Sequence, residues 1–143
     1  MPTLTVRQAT PADAADLAQM LNLFDEAGAT REEVARRMQA SQNALTTFFG
    51  EFDGMPVGFA CLRLVPHLQG DEPHAELTDI YVDPAFRRHG VARALLAEVE
   101  AAARAAGAGG MIILTGFDNE VAQAVYHASG YVDWALALEK RFR

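Results

Sequence analysis

Residues 76–92 read Glu76-Leu77-Thr78-Asp79-Ile80-Tyr81-Val82-Asp83-Pro84-Ala85-Phe86-Arg87-Arg88-His89-Gly90-Val91-Ala92. The stretch Leu77 to Val82 is apolar and β-rich, and Asp83-Pro84 ends it. A basic loop follows, and Val91 opens a long run of helix-forming residues. The first turn of a helix has N–H groups without intrahelical partners and carries the positive end of the macrodipole. A strand running through such a loop into a helix therefore predicts an anion site of the kind that takes phosphate. Gly90 permits close backbone approach, and Arg87, Arg88 and His89 add positive charge.

The sequence on either side predicts the elements that carry this junction. Leu4 and Val6 alternate with polar neighbours, as in a short strand. Thr10-Pro11-Ala12-Asp13 supplies an N-cap, a proline at the first helical position and a carboxylate at the third, ahead of Ala14, Leu17, Met20 and Leu21 at helical spacing. Thr30 with Glu33 marks a second helix over Val34, Ala35 and Met38, the two joining near Ala27-Gly28. Residues 46–52 and 57–65 are β-rich and flank Asp53-Gly54-Met55-Pro56, which predicts an antiparallel hairpin. Residues 66–73 read as a loop with an exposed tip at Gly70-Asp71-Glu72. Downstream, the helix carrying Leu95, Leu96 and Val99 stops at Gly107, and residues 111–115 read as a short buried strand. Residues 119–129 form a helix with Val121, Ala122, Val125 and Tyr126 at helical spacing, stopped by Gly130. Residues 131–142 alternate as a final strand. The order β-α-α-β-β-β-α-β-α-β predicts an α/β (α+β) fold with helices on the faces of one sheet.

A chain of 143 residues, half of them hydrophobic, suits one core, so residues 1–143 are expected to form a single domain. The net charge of -7 argues against nucleic acid as a partner and for a cationic or neutral one. Cys61 is the sole cysteine, which precludes an internal disulfide or a multi-cysteine metal site and points to a reducing cytoplasm. No leader pattern and no run of ~18 apolar residues is present, so neither export nor membrane insertion is expected. His67, His74 and His127 lack ligand spacing, and no metal is expected.

Arg87-Arg88-His89-Gly90-Val91-Ala92 fits the pattern Q/R-x-x-G-x-G/A, and it resembles the signature loop of the GNAT superfamily of N-acetyltransferases. Glu76 to Pro84 resembles that family's fourth strand. Asn119-Glu120-Val121-Ala122-Gln123-Ala124-Val125-Tyr126, with Gly130-Tyr131 beyond, is similar to its N-x-x-A-x-x-x-Y helix and following turn. The resemblance is good over residues 46–143 and rests on element order alone before that. It implies a mixed central sheet of six to seven strands with about four flanking helices and a splayed strand pair that holds the cofactor. It implies transfer of an acetyl group from acetyl-CoA to a primary amine by direct attack in a ternary complex. A small cationic amine is the expected acceptor; a protein N-terminus or lysine, or a non-catalytic acyl-CoA-binding module, are the alternatives. The resemblance also implies that a homodimer is possible, dimers being common in that family, and exposed apolar residues in the last strand would suit one.

The resemblance further implies that backbone amides from Arg88 through Gly90 and Val91 to Ala92 bind the CoA pyrophosphate. Arg87, Arg88 and His89 assist with their side chains, or else form a solvated loop. The backbone at Ile80, Tyr81 and Val82 would pair with the pantetheine arm, Ile80 N–H polarising the thioester carbonyl. Asn119 would bond a pantetheine amide, although asparagine also serves as a helix N-cap. An ammonium must lose a proton before attack. Glu76 is the first candidate base, sharing a face with Thr78 and Ile80 in an ideal strand; the bland reading is a solvated strand end. Asp79, costly to bury in an apolar strand, is the alternative base or the anchor of a cationic acceptor. A bulge would scramble this facing and could exchange the two roles. Tyr126 stands where the family has a general acid, against the reading of a packed core tyrosine. The acceptor pocket would draw on Asp25, Glu26, Asp71, Glu72 and Asp133, with Phe24 and Trp134 as walls.

Overall fold

Asp53 and Gly54 both take positive φ, 50° and 82°, the type I′ geometry that matches the twist of paired strands. They join β2 (Leu45–Phe52) to β3 (Met55–Val65), so Met55 and Pro56 begin the second strand instead of completing the turn. The computed structural model describes residues 2–25 and 28–143. Its sheet runs β1 (Leu4–Gln8), β2, β3, β4 (His74–Val82), β5 (Met111–Ile113), in that spatial order. The first three junctions are antiparallel and β4–β5 is parallel.

Among the described residues there are four helices: α1 (Ala14–Asp25), α2 (Arg31–Ser41), α3 (Val91–Ala105) and α4 (Glu120–Ala128). Their ends follow the local chemistry. Asp13 accepts from Thr10 N–H at 2.8 Å ahead of α1, and Thr30 accepts from Glu33 N–H at 3.1 Å at the start of α2. Gly107 and Gly130 adopt φ of 91° and 96°. Each closes its helix with the paired bonds of a Schellman motif: Ala108 N–H to Ala103 and Gly107 N–H to Arg104 for α3, Tyr131 N–H to Tyr126 and Gly130 N–H to His127 for α4. Ala27, placed at the α1–α2 junction, lies outside the described residues.

The two faces of the sheet bury different helices. Cross-strand partners share a face, and the pair Gly50↔Gly58 lies beneath α3, close to Val91 and Leu95. The next pair along, Phe49↔Phe59, lies on the opposite face in a core with Leu17 and Met20 of α1 and Val34 of α2. Arg7 on β1 reaches Glu51 on β2 at 3.1 Å and Asp13 at 2.8 Å, tying the sheet to the start of α1. The Arg7 guanidinium hydrogen bond holds the Asp13 carboxyl below its ordinary range.

Two expectations need correction. Among the described residues the sheet has five strands, slightly fewer than the six to seven expected, and residues 131–142, whose pattern predicts a last strand, carry neither helix nor strand. Alternation fixes which side chains share a face, but a strand exists only where a second backbone completes its ladder. β5 likewise ends at Ile113, short of residue 115, and its three residues are half-buried rather than interior. The chain divides into two compact units, Met1–Ile113 with the sheet and α1–α3, and Leu114–Arg143 with α4.

Candidate active site

The register of β4 against β3 slips by one residue at Thr78. Cys61 pairs with Asp79 and Leu62 with Leu77, which leaves Thr78 as the extra residue of a β-bulge. Its hydroxyl donates to the Asp79 carboxylate at 3.0 Å. The bulge reverses the facing expected of an ideal strand. Glu76 pairs with Arg63 and Asp79 with Cys61, so the two carboxylates share a face with Phe59 and Tyr81, on the α1–α2 side. Ile80, paired with Ala60, takes the opposite face and does not accompany Glu76.

Glu76 is no solvated strand end, because β4 begins two residues earlier at His74. Its side chain is 16% exposed, and its carboxylate is ion-paired with the Arg63 guanidinium. Asp79 is exposed beside it. Phe24 at the end of α1 packs on Tyr81 with ring centroids 5.2 Å apart, so an aromatic wall borders this face. Burial pushes the Cys61 thiol up to about 11, which leaves it an unreactive core group.

The outer edge of β4 is open where the cofactor arm is expected. The β4–β5 ladder consists of Ala75↔Met111, Glu76↔Ile112 and Leu77↔Ile113. Among the described residues, 78–82 have no strand partner on that side. Asp83 N–H donates to Val57 across the inner side at 2.8 Å. Backbone groups alternate along a strand, so the amides of Ile80 and Val82 point outward and that of Tyr81 points toward β3. Tyr81 thus contributes spacing to the edge, with its ring packed inward against Phe24 and Phe59.

The open edge leads into the basic loop. Arg87 Nε donates to the Val82 carbonyl at 3.2 Å and His89 Nδ1 lies 2.7 Å from the Arg87 carbonyl, so both side chains brace the loop. The His89 ring meets the Phe52 ring edge-on. Arg88 has φ of 65°, rare for a non-glycine residue, and Gly90 has φ of 82° at the N-cap of α3. No side chain caps α3. The amides of Val91, Ala92 and Arg93 precede its first i→i−4 bond, Ala94 N–H to Gly90, and with the left-handed turns at 88 and 90 they form a cradle for an anion.

In the second unit, Asn119 caps α4, its side-chain oxygen accepting from Ala122 N–H at 3.2 Å. Tyr126 lies two turns further along, on the same helical face. It is buried with its ring against Tyr131, and burial raises its phenol above the ordinary value. Asp133, expected in the acceptor pocket, bonds His127 at 2.9 Å, and Trp134 is exposed. Glu72 packs its carboxyl against Gly109 in the α3–β5 turn. Glu26 and the side chain of Asp25 fall outside the described residues.

Sequence reasoning missed Arg63, Thr78 and the Gly50–Gly58 pair. The glycines were visible, but only cross-strand pairing places them together under Val91. A second cleft, lined by Gln8, Thr10, Met38 and Asn43, has no titratable side chain in its wall. Among the described residues no cluster of three metal-ligating side chains occurs, and no helix is long and apolar enough to cross a membrane.

A mixed sheet whose fourth strand parts from the fifth above an amide-lined helix start defines an acetyltransferase of the GNAT type, and comparison with known proteins agrees. Residues 14–131 match the model of the acetyltransferase (GNAT) family, and the chain belongs to that family. The aminoglycoside N(6')-acetyltransferase type 1 of Stenotrophomonas maltophilia is 37% identical over 131 residues, which is 89% of this chain and 85% of that one. Among solved structures, the aminoglycoside N-acetyltransferase AAC(6')-Iy in complex with CoA shares the fold at a TM-score of 0.85 and 24% identity, covering 100% of this chain and 97% of that one. A ribosomal-protein-alanine N-acetyltransferase from Brucella melitensis shares it at 0.83 and 18% identity, covering 97% and 99%. Fold alone therefore leaves the acceptor open.

Proposed function

We propose that the protein is an acetyl-CoA-dependent N-acetyltransferase that modifies a primary amine of a small cationic compound of the aminoglycoside type, by direct attack in a ternary complex. One observation carries the reading: the open edge of β4 at residues 78–82 runs into the uncapped start of α3, while Glu76 and Asp79 share the other face of the strand. The name of the 37% identical relative supports the acceptor class, as does the net charge of -7.

Acetyl-CoA supplies the acetyl group as an activated thioester. The chain's own groups account for the rest. The cradle from Arg88 to Ala92 takes the pyrophosphate, with Arg87 and His89 holding the loop in shape. Outward amides of Ile80 and Val82 take the pantetheine arm, and Ile80 N–H donates to the thioester carbonyl, where negative charge develops. Asn119 adds a bond to the same arm. Asp79 draws in the cationic acceptor, Glu76 removes the ammonium proton, directly or through water, and Tyr126 returns a proton to the departing sulfur. A reducing, cytoplasmic setting goes with this reading, because a single cysteine allows no internal disulfide.

The test is thiol release from acetyl-CoA over a panel of aminoglycosides, polyamines and peptides, with CoA affinity measured by calorimetry. Aminoglycoside-dependent release is expected, with Tyr126→Phe lowering kcat by about 10²-fold or more and leaving CoA affinity in place. Turnover confined to peptides would overturn the acceptor class. CoA binding without turnover would overturn the enzyme reading, and no CoA binding would overturn the cofactor site.

A further inference from the structure

The cleft that the reaction leaves unused has a volume of about 280 Å³ and sits where β1 ends, α1 begins and α2 turns into β2. Its wall mixes two kinds of group. Pro11, Met38 and Leu45 give apolar surface, and Gln8, Gln42 and Asn43 bring exposed side-chain amides. Among the described residues those three amides make no hydrogen bond within the protein. α2 ends here with no basic residue in its last turn, so the negative end of its macrodipole is uncompensated. With no titratable side chain in the wall, the cleft offers no ion pair to a phosphate or a carboxylate. It suits a ring with apolar faces and hydroxyl edges, to which side-chain amides both donate and accept.

The register of the sheet joins this cleft to the carboxylates. Leu45 pairs with Arg63 and Arg63 with Glu76, while Thr47 pairs with Cys61 and Cys61 with Asp79. Cross-strand partners share a face, and Thr47 Oγ1 lies 3.4 Å from Cys61 Sγ along the second row. Leu45 and Thr47 line the cleft, so cleft and carboxylates stand at the two ends of the same rows, with β3 between them. Two inter-strand steps separate them by about 10 Å. The first row is open to solvent, since Leu45 and Glu76 are half-buried and Arg63 is exposed. All of these residues belong to the unit Met1–Ile113. We propose that the cleft is a distal acceptor subsite, which takes an uncharged, hydroxyl-bearing sugar ring of a molecule whose reacting amine lies at Glu76 and Asp79. The subsite rests on the amine-acceptor reading above and extends it from charge to length. The carboxylates select a cation, and the cleft selects an acceptor with enough rings to span about 10 Å.

Neamine and ribostamycin separate the two selections, because ribostamycin is neamine with a neutral ribose added. The KM for ribostamycin is expected to lie about 10-fold below that for neamine, the effect of one or two hydrogen bonds between neutral groups. Gln42→Ala with Asn43→Ala is expected to bring the ratio of the two KM values close to one. Gln42 has φ of -59° and neither residue takes positive φ, so alanine fits this turn. In amide NMR spectra of the full chain with CoA bound, ribostamycin is expected to shift the signals of residues 42–47 and neamine to leave them in place. Equal KM values in the unaltered protein, a ratio that survives both substitutions, or signals at 42–47 that ignore an acetylated ribostamycin would each overturn the subsite while the acetyltransferase reading stands. Ribostamycin that shifts those signals without being acetylated would support the subsite and overturn the acceptor class. Neither shift nor acetylation would overturn both.

Discussion

Glu76 and Asp79 carry the sharpest question at the scale of single residues, because the bulge at Thr78 sets both carboxylates on one face but in different company. Glu76 is partly buried and fixed by Arg63, which suits a positioned proton acceptor. Asp79 is exposed, which suits the capture of a cation. Glu76→Gln is expected to lower kcat by about 10²-fold with little change in the KM of a cationic acceptor. Asp79→Asn is expected to raise that KM more than it lowers kcat. The reverse split in steady-state kinetics would assign the base to Asp79. Tyr126 adds a dependence on pH. Its phenol is raised above 10.0 by burial, so the proton that the proposed mechanism delivers to the leaving sulfur is present below pH 10 and is lost only as pH rises through the higher folded value. The alkaline limb of the kcat profile should therefore lie above pH 10, and it should disappear in Tyr126→Phe. The acidic residues themselves were legible in the sequence, as were their candidate roles. Their shared facing was not, because a strand's alternation predicts orientation only while the register holds.

Among the elements, α3 depends on a notch in the sheet. Gly50 and Gly58 pair across β2 and β3 directly beneath Val91, the first residue of the helix whose amides are proposed to take the pyrophosphate. A Cβ on Gly50 would lie 2.9 Å from Val91 Cγ1, and one on Gly58 would lie 2.7 Å from the Tyr81 carbonyl oxygen and 3.2 Å from Val91 Cγ1. The glycines thus let the start of the helix settle close against the strands. Gly50→Ala should destabilise the fold by about 1–3 kcal/mol and weaken CoA binding several-fold, and Val91→Ala in the same chain should recover part of both losses. Gly58→Ala should gain less from Val91→Ala, because its nearest obstacle is backbone. Denaturant melts and calorimetry on the double-mutant cycles measure the coupling, and an additive result at Gly50 would remove the notch from the account. The limits of α3 and α2 were readable from Gly107 and from the Thr30–Glu33 pair, since a cap is a contact over three or four residues. The notch joins residues far apart in the chain, and no local signal marks it.

For the whole molecule, an assembled cofactor site predicts coupling between binding and unfolding. A ligand that binds only the native chain at 100 times its Kd stabilises it by about 2.7 kcal/mol, or about 8–10 °C in Tm for a chain of this length. CoA should produce such a shift in differential scanning calorimetry and desulfo or nucleotide fragments a smaller one; no shift at saturating CoA would count against the site. By itself the amino-acid sequence determined the element order up to Ser129, the hairpin at Asp53-Gly54, the helix caps and the basic loop that opens α3, each of which depends on residues within a turn or two of one another. Tertiary structure decided the bulge at Thr78, the three-residue β4–β5 ladder that leaves the cofactor edge open, the Arg63–Glu76 pair and the absence of a sixth strand at residues 131–142. The reason is physical: capping and turn geometry are local equilibria, whereas register and strand existence depend on which distant backbone supplies the other half of the ladder.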